Sequence, residues 1–213
     1  MKIPLAKRLK KKLHIDTALL QDELMDIIYS LKQNAVLHGG TSIWRCYEGN
    51  RFSEDLDFYF SVSDEFRNKL AAKLKERDLL LKKYRKTWNV VFSRISDNQR
   101  EVRLEINFTG QKLTPIIKAY EKTDGSYMDI FTLSVEHLLL EKIHAYKTRK
   151  LIRDVYDIHH LIKYAEVEQV KKPLADFLLN IEKPADELTL KTLVYSGAIP
   201  SFKHMVASLK TVL

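Results

Sequence analysis

The stretch from Gly39-Gly40 to Asp55-Leu56-Asp57 constrains this chain more than any other. In an extended strand alternate residues share a face and sit about 6.6 Å apart along the axis. Asp55 and Asp57 therefore point one way, while Leu56, Phe58 and Phe60 point the other and can bury against helices. Two carboxylates this close repel each other, and each loses hydration where the strand is covered. A cation between them relieves both penalties. A hard divalent ion, Mg²⁺ or Mn²⁺, takes oxygen ligands and keeps positions open for water or substrate phosphates.

A third acid lies on a second alternating run. In 102–108, Val102, Leu104, Ile106 and Phe108 form an apolar face and leave Glu105 on the other. If the two strands are neighbours, Glu105 joins Asp55 and Asp57 in a site able to hold two ions about 3.5–4 Å apart. Gly39 and Gly40 permit positive φ and close backbone approach. The helix expected from Thr41 offers free N–H groups, so turn and helix start together read as a phosphate cradle. Read singly, an Asp-x-Asp is a pair of surface acids on an edge strand, and a double glycine is a tight turn. Their combination with a hydroxyl at Thr41 and the acid at Glu105 favours a bound nucleoside triphosphate with its metals.

Around this centre the periodicity predicts helices over about 16–33, with Asp16 as N-cap, and over 41–47 and 63–77, with strands near 35–38, 54–60, 79–85, 88–95 and 101–108. After the turn at 123–126 the pattern is helical: about 134–148, 151–164, 166–181, 186–195 and 201–212. The expected fold class is α+β, with a core over 1–130 and a helical part over 131–213 closing a shared cleft. The excess of 36 Lys+Arg over 28 Asp+Glu, a net +8, suits a polyanionic partner. The single cysteine forms no internal disulfide, and no run approaches the roughly 20 apolar residues of a membrane helix. The expectation is a soluble cytoplasmic protein with no membrane partner. On a continuous helix Lys142, Tyr146, Arg149 and Arg153 would share one basic stripe.

The segment HGGTSIWRCYEGNRFSEDLDF, with EKIHAYKTRKLIRDVYDIHHL further on, resembles the AbiEii/AbiGii (MenT-like) toxin family of the nucleotidyltransferase superfamily. The resemblance implies a polymerase beta-like mixed sheet with flanking helices, nucleotidyl transfer from an NTP, and a toxin paired with an AbiEi-type antitoxin. It implies a triphosphate loop at Gly39, Gly40 and Thr41, with Arg51 and Ser53 near the phosphates. Asp55, Asp57 and Glu105 become the metal ligands and catalytic acids; Lys142 would contact the triphosphate, and Asp154 and Asp157 would order the nucleotide side of the cleft. The acceptor it suggests is the 3′ end of tRNA. A small-molecule transferase of the antibiotic-modifying sort shares the same acids and glycines, and a non-catalytic nucleotide- or RNA-binding module is the rival of another class.

Overall fold

The computed structural model describes residues 3–108 and 114–213. One helical turn, α1 (Leu5–Arg8), precedes the long helix α2 (Lys12–Leu31). There follow β1 (Val36–His38), α3 (Gly39–Cys46), β2 (Leu56–Tyr59) and α4 (Phe66–Lys75). Three strands continue, β3 (Leu80–Lys86), β4 (Val90–Ser96) and β5 (Glu101–Asn107), and then the hairpin β6 (Ile116–Glu121) and β7 (Tyr127–Thr132). From Val135 on the chain is helical: α5 (Val135–Arg149), α6 (Ile152–Leu161), α7 (Val167–Leu179), a 3₁₀ turn at Glu187–Thr189, α8 (Leu190–Leu193) and α9 (Phe202–Lys210).

The seven strands form one mixed sheet in the order β3-β4-β5-β2-β1-β7-β6. The pairs β2/β5 and β1/β7 are parallel and the others antiparallel. One face carries Leu56, Phe58, Val91, Ile95, Leu104 and Ile106 and packs on Leu24 and Ile28 of α2 and on Leu70 and Leu74 of α4. Each such fully buried side chain is worth about 1.5–3 kcal/mol. On the other face, Val36 and Leu133 meet α3, α5, α6, α7 and α9 in a second core. That second cover spans only the β1/β7 side, so the face of β2 and β5 opens into a cleft.

Several expectations shift. Helix α2 begins at Lys12, a turn before Asp16, whose carboxylate pairs with Arg100 instead of capping. Helix α4 begins at Phe66, three residues after the expected 63, with no side-chain cap. The hairpin β6/β7 was not expected as strands. Its turn was legible, but its flanking runs mix charges with an exposed Ile117, as outer strands of a sheet do. No helix among the described residues is long and apolar enough to cross a membrane.

Candidate active site

Strand register assembles the centre. In the parallel pair β2/β5, Asp57 lies opposite Glu105; in the antiparallel pair β1/β2, Asp57 lies opposite His38. His38, Asp57 and Glu105 thus stand in a row across three adjacent strands, on the face away from the α2/α4 core. Asp55 precedes β2 and takes two hydrogen bonds from Arg103, at 3.2 Å from Nε and 2.9 Å from Nη2. Glu105 accepts from Asn107 Nδ2 at 3.1 Å.

The glycine turn closes one end. Helix α3 begins at Gly39, two residues before the expected Thr41, with Gly39 at φ 71°. A Cβ on Gly39 would stand 2.5 Å from Asp57 Oδ2, and one on Gly40 would stand 2.6 Å from Ser53 Oγ and 2.7 Å from Arg51 Nη2. The backbone here is therefore pressed against the very side chains that the motif names. Thr41 is buried and donates its hydroxyl to the Asp55 carbonyl at 2.5 Å, tying α3 to the acidic strand rather than pointing outward. Gly39→Ala is expected to destabilise by about 1–3 kcal/mol through backbone strain and to displace the Asp57 carboxylate. Gly197→Ala provides the comparison: it has φ 82° but nothing within 4 Å of its Cβ, so it carries the backbone strain alone. In thermal melts Gly39→Ala should lose more than Gly197→Ala; equal losses would mean that the crowding at Gly39 is harmless.

The facing wall is cationic, and buried acids hold it in place. Asp157 accepts from Arg51 Nε at 2.7 Å and Nη2 at 2.6 Å, and lies 3.0 Å from Lys142 Nζ. Asp154 accepts from Arg149 Nε at 2.8 Å and Nη2 at 2.6 Å. Both aspartates are buried. Burial alone would raise the Asp157 carboxyl, but Arg51 and Lys142 hold it down at about 2. Neither pair lies within one helix: Arg51 precedes β2, and Arg149 ends α5 while both aspartates sit on α6. Lys142 is itself buried, with its ammonium committed to Asp157.

The stripe expected on one helix is split. Lys150 adopts φ 51° and ends α5 at Arg149, so Arg153 starts a second helix, and Tyr146 turns away to donate to the Glu182 carbonyl at 2.6 Å. Arg149 and Arg153 nevertheless line the same cleft, of about 800 Å³, with Gly39, Gly40, Arg51, Ser53, Asp55, Asp57, Glu105 and Lys142. Arg153 lies beside Arg149 and Arg51, its Nε buried without a hydrogen-bond partner; burial and these neighbouring cations lower its pKa. A guanidinium so placed is suited to an anion.

Reading the sequence also missed a cluster at the cleft floor. His38 stacks on Tyr59 with ring centroids 3.8 Å apart, and its Nδ1 lies 3.3 Å from Glu141 Oε2. The Tyr59 hydroxyl donates to Glu141 Oε1 at 2.7 Å. Burial would raise the Glu141 carboxyl, but His38 and Tyr59 bring it below its usual value. Only the position of His38 next to Gly39 could have signalled it.

Among the described residues no group of three His, Cys, Asp or Glu side chains is already gathered to hold a metal ion. Asp55 is turned to Arg103. The donor chemistry still fits a hard ion. Burial raises the Asp57 carboxyl, and the charges of Asp55 and Glu105 add to the effect against His38 and Lys142. A cation reached by all three would relieve that charge.

Comparison with known proteins identifies the family and the fold. Residues 24–196 match the family described as the nucleotidyl transferase AbiEii toxin of type IV toxin–antitoxin systems. Among solved structures, JHP933 from Helicobacter pylori is 23% identical with a TM-score of 0.62, covering 92% of this chain and 90% of that one. A second H. pylori protein, assigned as a nucleotidyltransferase, is 19% identical with a TM-score of 0.61, covering 95% and 94%. The antibiotic-resistance factor ANT(2'')-Ia is 12% identical with a TM-score of 0.52, covering 76% and 91%. Among curated proteins no match is found. These likenesses establish the mixed-sheet nucleotidyltransferase fold, and the family match spans the glycine turn, both acidic strands and the cationic helices. The chain belongs to the AbiEii nucleotidyltransferase toxins, a family that implies an NTP substrate and an antitoxin partner.

Proposed function

We propose that the protein is a metal-dependent nucleotidyltransferase that moves a nucleoside monophosphate from an NTP to the 3′-terminal hydroxyl of a tRNA. The observation that carries this reading is the register pair Asp57/Glu105 beside the Gly39 turn, facing Arg51, Lys142, Arg149 and Arg153 across one cleft. Residues 1–130 supply the acids and residues 131–213 most of the cations. Mg²⁺ or Mn²⁺, when bound by Asp55, Asp57 and Glu105, supplies charge neutralisation at the phosphates and activation of the attacking oxygen. The first-turn N–H groups of α3 receive phosphate oxygens, and Arg149 and Arg153 neutralise the outer phosphates. Arg51 is held rigid by Asp157 behind Gly40, so its direction is set before substrate arrives. The acceptor oxygen bonds to the α-phosphorus, and the bond from that phosphorus to the bridging oxygen breaks. Pyrophosphate leaves with the electron pair, and Glu105 takes the hydroxyl proton. The antitoxin that family membership implies would be of the AbiEi type.

The test uses tRNA, labelled NTPs and a salt series. Label should enter tRNA at its 3′ end, and periodate oxidation of that end should block it. Transfer at limiting tRNA should fall at least tenfold between about 50 and 200 mM salt, because phosphate contacts release counterions. Transfer to small hydroxyl compounds with no salt response, and none to RNA, would overturn the tRNA assignment.

A further inference from the structure

The outer strands leave a second surface unexplained. Strands β3, β4 and β5 bury Val91, Ile95, Val102, Leu104 and Ile106 on one face, and on the other they carry a different set. Across β4/β5, Phe92 lies opposite Glu105 and Arg94 opposite Arg103; across β3/β4, Arg85 lies opposite Phe92 and Lys83 opposite Arg94. Like charges placed opposite each other on a sheet destabilise it unless an anion lies over them. Only part of this charge is answered within the chain: Arg94 lies 3.2 Å from Glu101, and Arg103 is bound to Asp55. Lys83 and Arg85 have no ion-pair partner among the described residues. Phe92 is 37% exposed amid these cations, and Trp88 at the β3–β4 turn is 89% exposed.

We propose that this open face of β3, β4 and β5 is the docking platform for the acceptor, a single-stranded polynucleotide end whose terminal base stacks on Phe92 and whose hydroxyl meets Glu105. The proposal rests on the nucleotidyl-transfer reading above and locates its second substrate. Three features favour this occupant. An exposed aromatic ring flanked by unanswered cations is the combination that holds unpaired bases and their phosphates. A duplex keeps its base faces stacked inside, so a single-stranded end fits and a double helix does not. The platform is also continuous with the cleft, since Phe92 faces Glu105 at a cross-strand Cβ spacing of about 5 Å. Arg103 links the two surfaces, since it is bonded to Asp55; were Asp55 to hold a metal, this guanidinium would be free for an acceptor phosphate.

The test is fluorescence anisotropy with a labelled 12-nucleotide single-stranded RNA bearing a free 3′ hydroxyl, in Mg²⁺, over a salt series. Phe92→Ala should weaken binding about tenfold and raise KM for the RNA with kcat largely kept, and Phe92→Tyr should restore binding. Arg85→Glu should weaken binding and lower the salt slope by about one. Lys172→Glu on α7, an equal change of charge elsewhere, should alter affinity less than twofold. Affinity for NTP with Mg²⁺ should not move in Phe92→Ala, which separates this surface from the triphosphate site. If the wild type transfers nucleotide to the RNA while Phe92→Ala and Arg85→Glu bind it as well as wild type, the platform is wrong and the transferase reading survives. If poly-glutamate displaces the RNA and binds wild type and Phe92→Ala equally, the face recognises an acidic protein surface, and the proposal fails. If the wild type transfers only to small hydroxyl compounds, both the platform and the RNA acceptor fall.

Discussion

Asp57→Asn should abolish nucleotidyl transfer while raising the melting temperature of the metal-free protein. The two effects have one cause. Burial raises the Asp57 carboxyl, and the nearby Asp55 and Glu105 carboxylates add to the rise, so its ionised form is strained at neutral pH. For a group whose folded pKa lies above its unfolded value, stability falls as pH rises through the folded pKa. An isosteric amide removes that charge, and a gain of about 1 kcal/mol corresponds to roughly 2–4 °C at this length. The same charge is what a metal ion requires. Its loss should lower turnover by about 10³-fold or more, the equivalent of several kcal/mol of transition-state stabilisation. Mg²⁺ with NTP should raise the melting temperature of wild type and leave the variant unmoved. A variant that keeps near-normal turnover, or melts well below wild type, would contradict the assignment.

Asp157→Ala should have the largest effect on stability. Its carboxylate holds the buried Arg51 guanidinium and the buried Lys142 ammonium. Removing it takes away the one carboxylate bonded to Arg51 and leaves Lys142 only the longer contact with Asp154, 3.7 Å away, a loss of about 3–5 kcal/mol, or roughly 10 °C in melting temperature. The pH dependence has the opposite sign to that of Asp57. The Asp157 carboxyl drops from an ordinary 3.8 to about 2 on folding, so its contribution is fully present above the unfolded value and is lost as pH falls through 2. Denaturant titrations at pH 7 and near pH 2 should therefore find the gap between wild type and Asp157→Ala closing in acid. A constant gap would mean that the pairs with Arg51 and Lys142 contribute little. Lys142→Ala should also destabilise, because it unpairs part of the same cluster, so its effect on triphosphate binding cannot be read without a melt beside it.

The acidic centre was legible because strand alternation is a local code: the residues that place Leu56 and Phe58 in the core place Asp57 opposite them, and Glu105 follows the same rule on β5. The glycine turn was legible for a similar reason, since Gly39 needs positive φ and has no room for a Cβ. What could not be read depends on contacts between distant segments. The break at Lys150 has no glycine or proline to announce it, because a lysine occupies the left-handed position. The hairpin β6/β7 lacks clean alternation, and only pairing with β1 makes it part of the sheet. The roles of Asp154 and Asp157 as anchors for Arg149 and Arg51 join residues up to 106 positions apart. His38, Tyr59 and Glu141 likewise meet only when α5 crosses β1 and β2.

The central claim is that the three acids and the glycine turn act on the α-phosphorus of a triphosphate. Parallel incubations with α-labelled and γ-labelled NTP, Mg²⁺ and total RNA test it most directly, with wild type and Asp57→Asn side by side. The account predicts that wild type places the α-label in RNA and releases the γ-label as pyrophosphate, and that Asp57→Asn does neither. Transfer of the γ-label to any acceptor, or α-label transfer by Asp57→Asn at the wild-type rate, would contradict it.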